Sequence, residues 1–170
     1  MEKSELKALL EQVLTRIRQA RTIETEVYAL LVTLFPTVLA PALDIIDHGR
    51  ITKLVCQKSR RTFHKVKEIA SKRSSTASTA TTDEESTFDV LGDYCFCYFY
   101  AKECLSDLGS ACLCKHVLAV MLAEALSGGA ADSQSPTIVV TKEIEDRDYA
   151  PLLLQSRAYM GKYEDAKVKA

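Results

Sequence analysis

No run of roughly eighteen apolar residues occurs in this chain, so no segment reads as a membrane-spanning helix. The N-terminal stretch "MEKSELKALLEQVL" carries a charge every few positions, where a secretory signal would need an unbroken apolar core. Both absences predict an intracellular chain that is not inserted in a membrane. An excess of positive charge is also missing: 22 Lys and Arg stand against 23 Asp and Glu, a formal net charge of −1. That balance argues against a broadly basic nucleic-acid coat and leaves room only for a local contact or one made through a partner. No internal repeat is visible. What is present is an apolar content of 47% over 170 residues, enough for one domain with a real core.

The pattern along the chain predicts an α+β fold in three regions: N-terminal helices over 1–49, a hairpin, loop and cysteine-rich segment over 50–128, and a tail over 129–170. From Ser4 to Ala20, Leu6, Leu9, Leu10, Val13 and Ile17 recur at three- and four-residue steps between charged residues, as in an amphipathic helix. Glu24 to Phe35 is apolar nearly all round and stops at Pro36, which predicts a second, largely buried helix. "ALDIIDHGR" reads as a third helix closed by Gly49.

"ITKLVCQ" and "TFHKVKEI", on either side of "KSRR", read as a hairpin with one wet face. Residues 57–73 concentrate Lys58, Arg60, Arg61, Lys65, Lys67, Lys72 and Arg73 against Glu68 alone, the one basic patch. "SKRSSTASTATTDEEST", residues 71–87, has too few apolar side chains to offset the entropy of ordering and reads as a disordered loop between two strands. "TFDVLGDY" resumes as a strand, and "KHVLAVMLAEALS" is an apolar helix stopped by Gly128 and Gly129. A strand in "TIVVT" and a short helix within "EIEDRDYAPLLLQSRAYM" complete the tail. The expected architecture is N-terminal helices packed on a small antiparallel sheet, then the cysteine-rich segment, then an apolar helix.

Five of the six cysteines and one of the three histidines fall in "YCFCYFYAKECLSDLGSACLCKHVLAV", residues 94–120. In a reducing compartment, clustered thiols are more often metal ligands or catalytic groups than disulfides. Cys95 and Cys97 form a C-x-C pair, sixteen residues intervene, and Cys114 and His116 form a C-x-H pair at a helix start. Zinc takes four sulfur or nitrogen donors in a tetrahedron, so a close pair supplies one edge and a distant pair the other. The helix start brings the positive end of its dipole to three thiolates and a neutral imidazole, with Lys102 and Lys115 to offset the remaining charge.

Other readings of the same residues stand beside zinc. A Cys95–Cys97 disulfide would close a strained ring, a Cys114 nucleophile with His116 as base would lack an orienting third group, and the thiols could simply be buried. Within the zinc reading, Cys112 and Cys114 form a second C-x-C, so a four-cysteine site with His116 spare is open as well. Cys56 and Cys104 read as core or loop thiols.

C-x-C, a variable loop and C-x-H, followed by an apolar helix, resemble the SWIM zinc finger, and "CFCYFYAKECLSDLGSACLCKHVLAVMLAEAL" has that layout. With "ALDIIDHGRIT" ahead of a hairpin and a strand, residues 40–127 resemble the small SWIM-containing subunit of Shu-type recombination complexes. The resemblance implies Cys95, Cys97, Cys114 and His116 as the Zn2+ ligands, with Cys112 a loop residue. It also implies a nuclear protein of homologous-recombination DNA repair, which binds a RecA-like recombinase paralogue and with it promotes recombinase filaments on single-stranded DNA. The Ser/Thr insertion and the last forty residues have no counterpart in that pattern.

The leading expectation is therefore a non-catalytic adaptor, with "VYALLVTLF" and "HVLAVMLAEAL" either facing a partner or packing on each other. The alternative is a direct single-stranded nucleic-acid binder, with Lys58, Arg60, Arg61, Lys65 and Lys67 on phosphates and Phe99 or Tyr100 stacking on bases. Four protein ligands would leave zinc no open position for water, so no enzymatic activity is expected.

Overall fold

The computed structural model describes residues 3–69, 85–105, 113–127 and 138–153. Helix α1 (Lys3–Ala20) forms on its apolar stripe, burying Leu10, Val13, Leu14 and Ile17. Helix α2 (Thr25–Leu34) stops ahead of Pro36, whose ring removes the amide that would continue it. It departs from the expectation of a largely buried helix. Only Val27 and Leu31 are buried, while Tyr28, Leu30 and Val32 stay 47%, 37% and 40% exposed, because among the described residues the helix is met along one stripe only. Helix α3 (Leu39–Asp47) starts earlier than its sequence suggests. Pro41 sits in the first turn, where its missing amide has no helical acceptor to lose. Its end is a Schellman turn: Gly49 (φ 60°) donates to the Ile46 carbonyl at 2.9 Å, and Arg50 to the Ile45 carbonyl at 3.1 Å.

Strands β1 (Ile51–Cys56) and β2 (Thr62–Ile69) form the hairpin, in register from Ile51↔Val66 to Val55↔Thr62. Strand β3 (Glu85–Leu91) pairs antiparallel with β2. Residues 85–87 of the expected Ser/Thr loop thus belong to a strand, and residues 71–84 lie outside the described residues. Gly92 and Asp93 form a two-residue loop, with Gly92 at φ 60°, that returns β4 (Tyr94–Cys95) onto β3. Strand β5 (Val139–Ile144) lies parallel to β1, from Ile51↔Val139 to Cys56↔Ile144. The sheet, in the order β4-β3-β2-β1-β5, is therefore mixed rather than wholly antiparallel. Alternation within "TIVVT" marks a strand without fixing its direction, and the long connection from β1 to β5 permits parallel pairing.

Helix α4 (Lys115–Ser127) is the centre of the molecule. Its residues from His116 to Val120, with Leu122, Ala123 and Ala125, are buried, so it is apolar nearly all round. It packs between the sheet face carrying Ile51, Val66 and Val90 and the helices α1 and α3. Of the two apolar helices considered for a partner, α4 is therefore consumed by the core and α2 is not. On the other sheet face, fully buried Phe63 meets the edge of Tyr149 at 5.4 Å, from the helical residues 146–153. Among the described residues no helix is long and apolar enough to cross a membrane.

Candidate metal centre

Cys95 ends β4, Cys97 follows two residues later, and Cys114 and His116 open α4. Their ligand atoms all lie within 4.8 Å of one another, and all four side chains are buried. Cys95 Sγ is 3.6 Å from His116 Nδ1. A tetrahedral ion with bonds of about 2.3 Å to sulfur and about 2.0 Å to nitrogen has sulfur–nitrogen edges of about 3.5 Å. The cluster therefore fits a metal ion of that size, with Nδ1 as the imidazole donor.

Local structure explains why the sulfurs converge. Cys114 occupies the N-cap position of α4: its carbonyl accepts from Leu118 at 3.1 Å and its Sγ accepts from the Val117 amide at 3.5 Å. Sulfur thus does here what a serine or aspartate oxygen usually does at a helix start. Cys97 repeats the arrangement, its Sγ accepting from Tyr100 N–H at 3.3 Å and its carbonyl from Ala101 N–H at 3.2 Å. A π-helical turn (Tyr100–Cys104) follows. Each of these two thiolates is met by a helical amide, and the α4 dipole favours negative charge at the same point.

The imidazole is fixed from behind by residues whose role the sequence reading did not identify. Phe88 of β3 stacks on the His116 ring at 4.4 Å and 24°. Glu68, near the end of β2, places Oε2 3.4 Å from His116 Nε2 and also pairs with Lys115. The Nε2 contact lacks the alignment of a hydrogen bond, so that buried nitrogen has no true hydrogen-bond partner and the interaction with Glu68 is electrostatic. A carboxylate behind a metal-bound histidine orients the ring and raises its basicity. The sequence signal was β-strand alternation: His64, Val66 and Glu68 share the face that meets α4, so Glu68 is not the stray acid of a basic run.

Burial and the close approach of the four groups set their charges. Hydrogen bonding among the sulfurs pulls the Cys97 thiol far below its ordinary range, through Cys114 and then Cys95. The same contacts with Cys114 and Cys97, together with burial, push Cys95 far up. Burial disfavours the His116 imidazolium, but the Cys114 and Cys97 sulfurs and the Glu68 carboxylate outweigh it and raise the ring to about 10. His116 and, with burial opposing, Lys115 hold Glu68 down at about 2. A metal ion held by these four groups would take them with the thiols deprotonated and the imidazole neutral.

Cys112 lies outside the described residues, so the four-cysteine alternative is not addressed by the described geometry. Cys56 is fully buried in β1, and Cys104 is half-buried in the turn after Cys97. None of the described cysteines is in a disulfide.

The basic residues of the hairpin are placed elsewhere. Glu68 stands beside the cluster, whereas Lys58, Arg60 and Arg61 sit in the turn at the opposite end of β2, about 20 Å away at strand spacing. Arg60 is 3.7 Å from Glu143, Arg61 is 4.0 Å from Asp146, and Lys65 is 3.0 Å from fully buried Asp89. Lys67 is exposed on β2, and Lys72 and Arg73 lie outside the described residues. Of the two aromatics considered for base stacking, Phe99 is 40% exposed, but Tyr100 is buried against Tyr94 at 5.1 Å. Both sit at the metal end of the sheet. The expected combination of basic turn and stacking ring is thus not assembled.

Comparison of the chain with known protein families, with curated proteins and with solved structures finds no match.

Proposed function

We propose that the protein is a non-catalytic zinc-dependent adaptor, in which Zn2+ on Cys95, Cys97, Cys114 and His116 fastens the end of the sheet to the start of α4. The observation that carries this reading is the convergence of three sulfurs and one imidazole nitrogen within 4.8 Å, from two chain segments that share one core. Four protein donors are the mark of a structural rather than a catalytic zinc site. With the metal end closed in this way, the exposed Tyr28, Leu30 and Val32 of α2 are the surface offered to a partner.

In this reading the module is a SWIM-type finger, similar to the small subunit of Shu-type complexes, acting in the nucleus in homologous-recombination DNA repair. Its partner is a RecA-like recombinase paralogue, and the pair promotes recombinase filaments on single-stranded DNA. Elemental analysis of protein purified without chelator should give one zinc per chain; none would remove the site. Size-exclusion chromatography of the zinc-loaded chain with a recombinase paralogue should show co-elution that Tyr28→Ala/Val32→Ser weakens. Separate elution of the two intact proteins would end the adaptor reading.

A second reading, direct contact of the hairpin turn with single-stranded nucleic acid, is favoured by one observation. The turn seats a carboxylate across two consecutive backbone amides.

A further inference from the structure

Asp146 sets one carboxylate oxygen on each of two neighbouring amides of the hairpin turn. Oδ2 accepts from Lys58 N–H and Oδ1 from Ser59 N–H, both at 3.0 Å. Arg61 Nη2 lies 4.0 Å from Oδ1, and Arg61 Nε donates to Ser59 Oγ at 3.1 Å. Arg60, held at φ 56°, directs its guanidinium to Glu143. Successive amides flanked by cations form a concavity that accepts an anion with paired oxygens.

One helical turn beyond Asp146, the Tyr149 ring lies under the Arg61 guanidinium at 4.6 Å and against Phe63 at 5.4 Å and 89°. The turn is therefore met by an anion and, a few ångströms on, by an aromatic ring held between a guanidinium and a second ring. A nucleotide presents the same two features, a phosphate and a base, and base stacking on aromatic and arginine planes is how single strands are commonly held. The covering segment is also matched in charge. Residues 143–149 carry Glu143, Glu145, Asp146 and Asp148 against Arg147, opposite the cationic turn.

Building on the nucleic-acid reading above, we propose that Lys58–Arg61 with Phe63 forms a nucleotide-binding seat for single-stranded nucleic acid. In the structure this seat is occupied in cis, Asp146 standing in for phosphate and Tyr149 for base. Binding a strand exchanges one set of contacts for the other: a phosphodiester takes the Lys58 and Ser59 amides, a base takes the place of the Tyr149 ring, and residues 146–153 lift from the sheet. Lys65, paired with Asp89 at 3.0 Å, lies with its ammonium 5.7 Å from the centre of the Phe63 ring, at the inner edge of the seat. The amides, guanidinium and ring are built for a ligand, but the chain's own acid keeps them closed.

The test is fluorescence anisotropy of a labelled oligothymidylate of about 12 nucleotides, titrated at low salt with the full zinc-loaded chain. Asp146→Asn should tighten binding about tenfold, since it removes a charge-assisted competitor for two amides. Its salt dependence should steepen by about 0.7 in log–log slope for each phosphate gained. Tyr149→Ala should tighten binding about threefold by vacating the base position. Adding Arg61→Ala to Asp146→Asn should return the affinity to that of the unaltered chain.

Equal affinity for all folded variants, each checked by a thermal melt, would refute occupation in cis while leaving nucleic-acid binding intact. Absence of binding by every variant would refute both. If Asp146→Asn does not fold, Tyr149→Ala decides alone, and no gain from it overturns the proposal. An acidic peptide copying residues 143–149 should compete with the oligonucleotide for the Asp146→Asn chain. Capture of the peptide without capture of the oligonucleotide would assign the seat to protein and overturn the nucleotide identity.

Discussion

Strand β2 connects two sites of opposite character. At one end, Glu68 backs His116 in a corner where every donor is buried and continuous with the apolar core. At the other, the Lys58–Arg61 turn is exposed and held by pairs with Glu143 and Asp146. The physics of the two ends differs accordingly. Exposed ion pairs each contribute under about 1 kcal/mol and are screened by salt over about 10 Å. Buried donors that converge repel one another or must share protons, so in the proposed zinc reading order at the Cys/His end depends on the metal. In the proposed reading a single strand thus joins a corner that responds to metal and proton concentration to a turn that responds to ionic strength.

The largest break in that contrast comes from removing a ligand. Cys97→Ser or His116→Ala should abolish metal binding and the ordered structure of residues 94–105 and 113–127. Structural zinc sites contribute about 10 kcal/mol or more, comparable with the whole stability of a domain. Because α4 lies at the centre of the core, α1 and α3 should loosen with it. Circular dichroism with elemental analysis reads both effects; a metal-free variant that melts like the unaltered chain would show that the corner is held by packing alone. Leu118→Ala separates packing from metal. Leu118 is fully buried, so its truncation should cost about 3 kcal/mol while zinc stoichiometry is unchanged.

Glu68→Gln tests the contact behind the ligand. It keeps shape and removes the charge facing His116 Nε2 and Lys115. Metal affinity, measured by competition with a chelator, should fall about 10- to 100-fold with little change in the fold of the loaded protein. An unchanged affinity would make Glu68 a partner of Lys115 only.

The helices and the hairpin were legible because each follows one local rule: the stripe of Leu10, Val13 and Ile17, the Schellman glycine Gly49, and alternation on either side of "KSRR". The Cys/His spacing was legible for the same reason, since each ligand pair is local. What sequence did not reveal depends on pairing between distant segments. The parallel direction of β5 is set by its neighbour β1, not by its own residues. The exposure of Tyr28, Leu30 and Val32 depends on which of the described segments pack on α2. Glu68 looked like a lone acid in a basic run until strand alternation and α4 brought it to His116. Among the described residues, the charges of the basic patch are divided between a turn, where Asp146 and Glu143 answer them, and a sheet face, where buried Asp89 pairs with Lys65, a division that depends on distant segments.

Between the two ends of β2 lies a contact that combines their properties, and it gives the smallest expected effect. Glu124 of α4 accepts from Lys53 Nζ at 2.6 Å and faces His64 Nε2 at 3.1 Å, through the same carboxylate oxygen. His64 chiefly, then Lys53 against the opposing effect of burial, hold its carboxyl at about 2. A carboxyl whose folded value lies below its ordinary value of about 4.3 favours the deprotonated native state. Its contribution is therefore complete above about pH 5 and is lost as pH falls toward 2. The Glu124 side chain is 41% exposed, so screening limits that contribution to about 1 kcal/mol or less. Denaturant unfolding of Glu124→Gln beside the unaltered chain should show a constant gap between pH 7 and pH 5 that narrows on further acidification. Since the Cys/His corner is common to both chains, the gap isolates Glu124 from it. A gap that does not narrow below pH 5 would show that the Glu124 charge does not stabilise the fold.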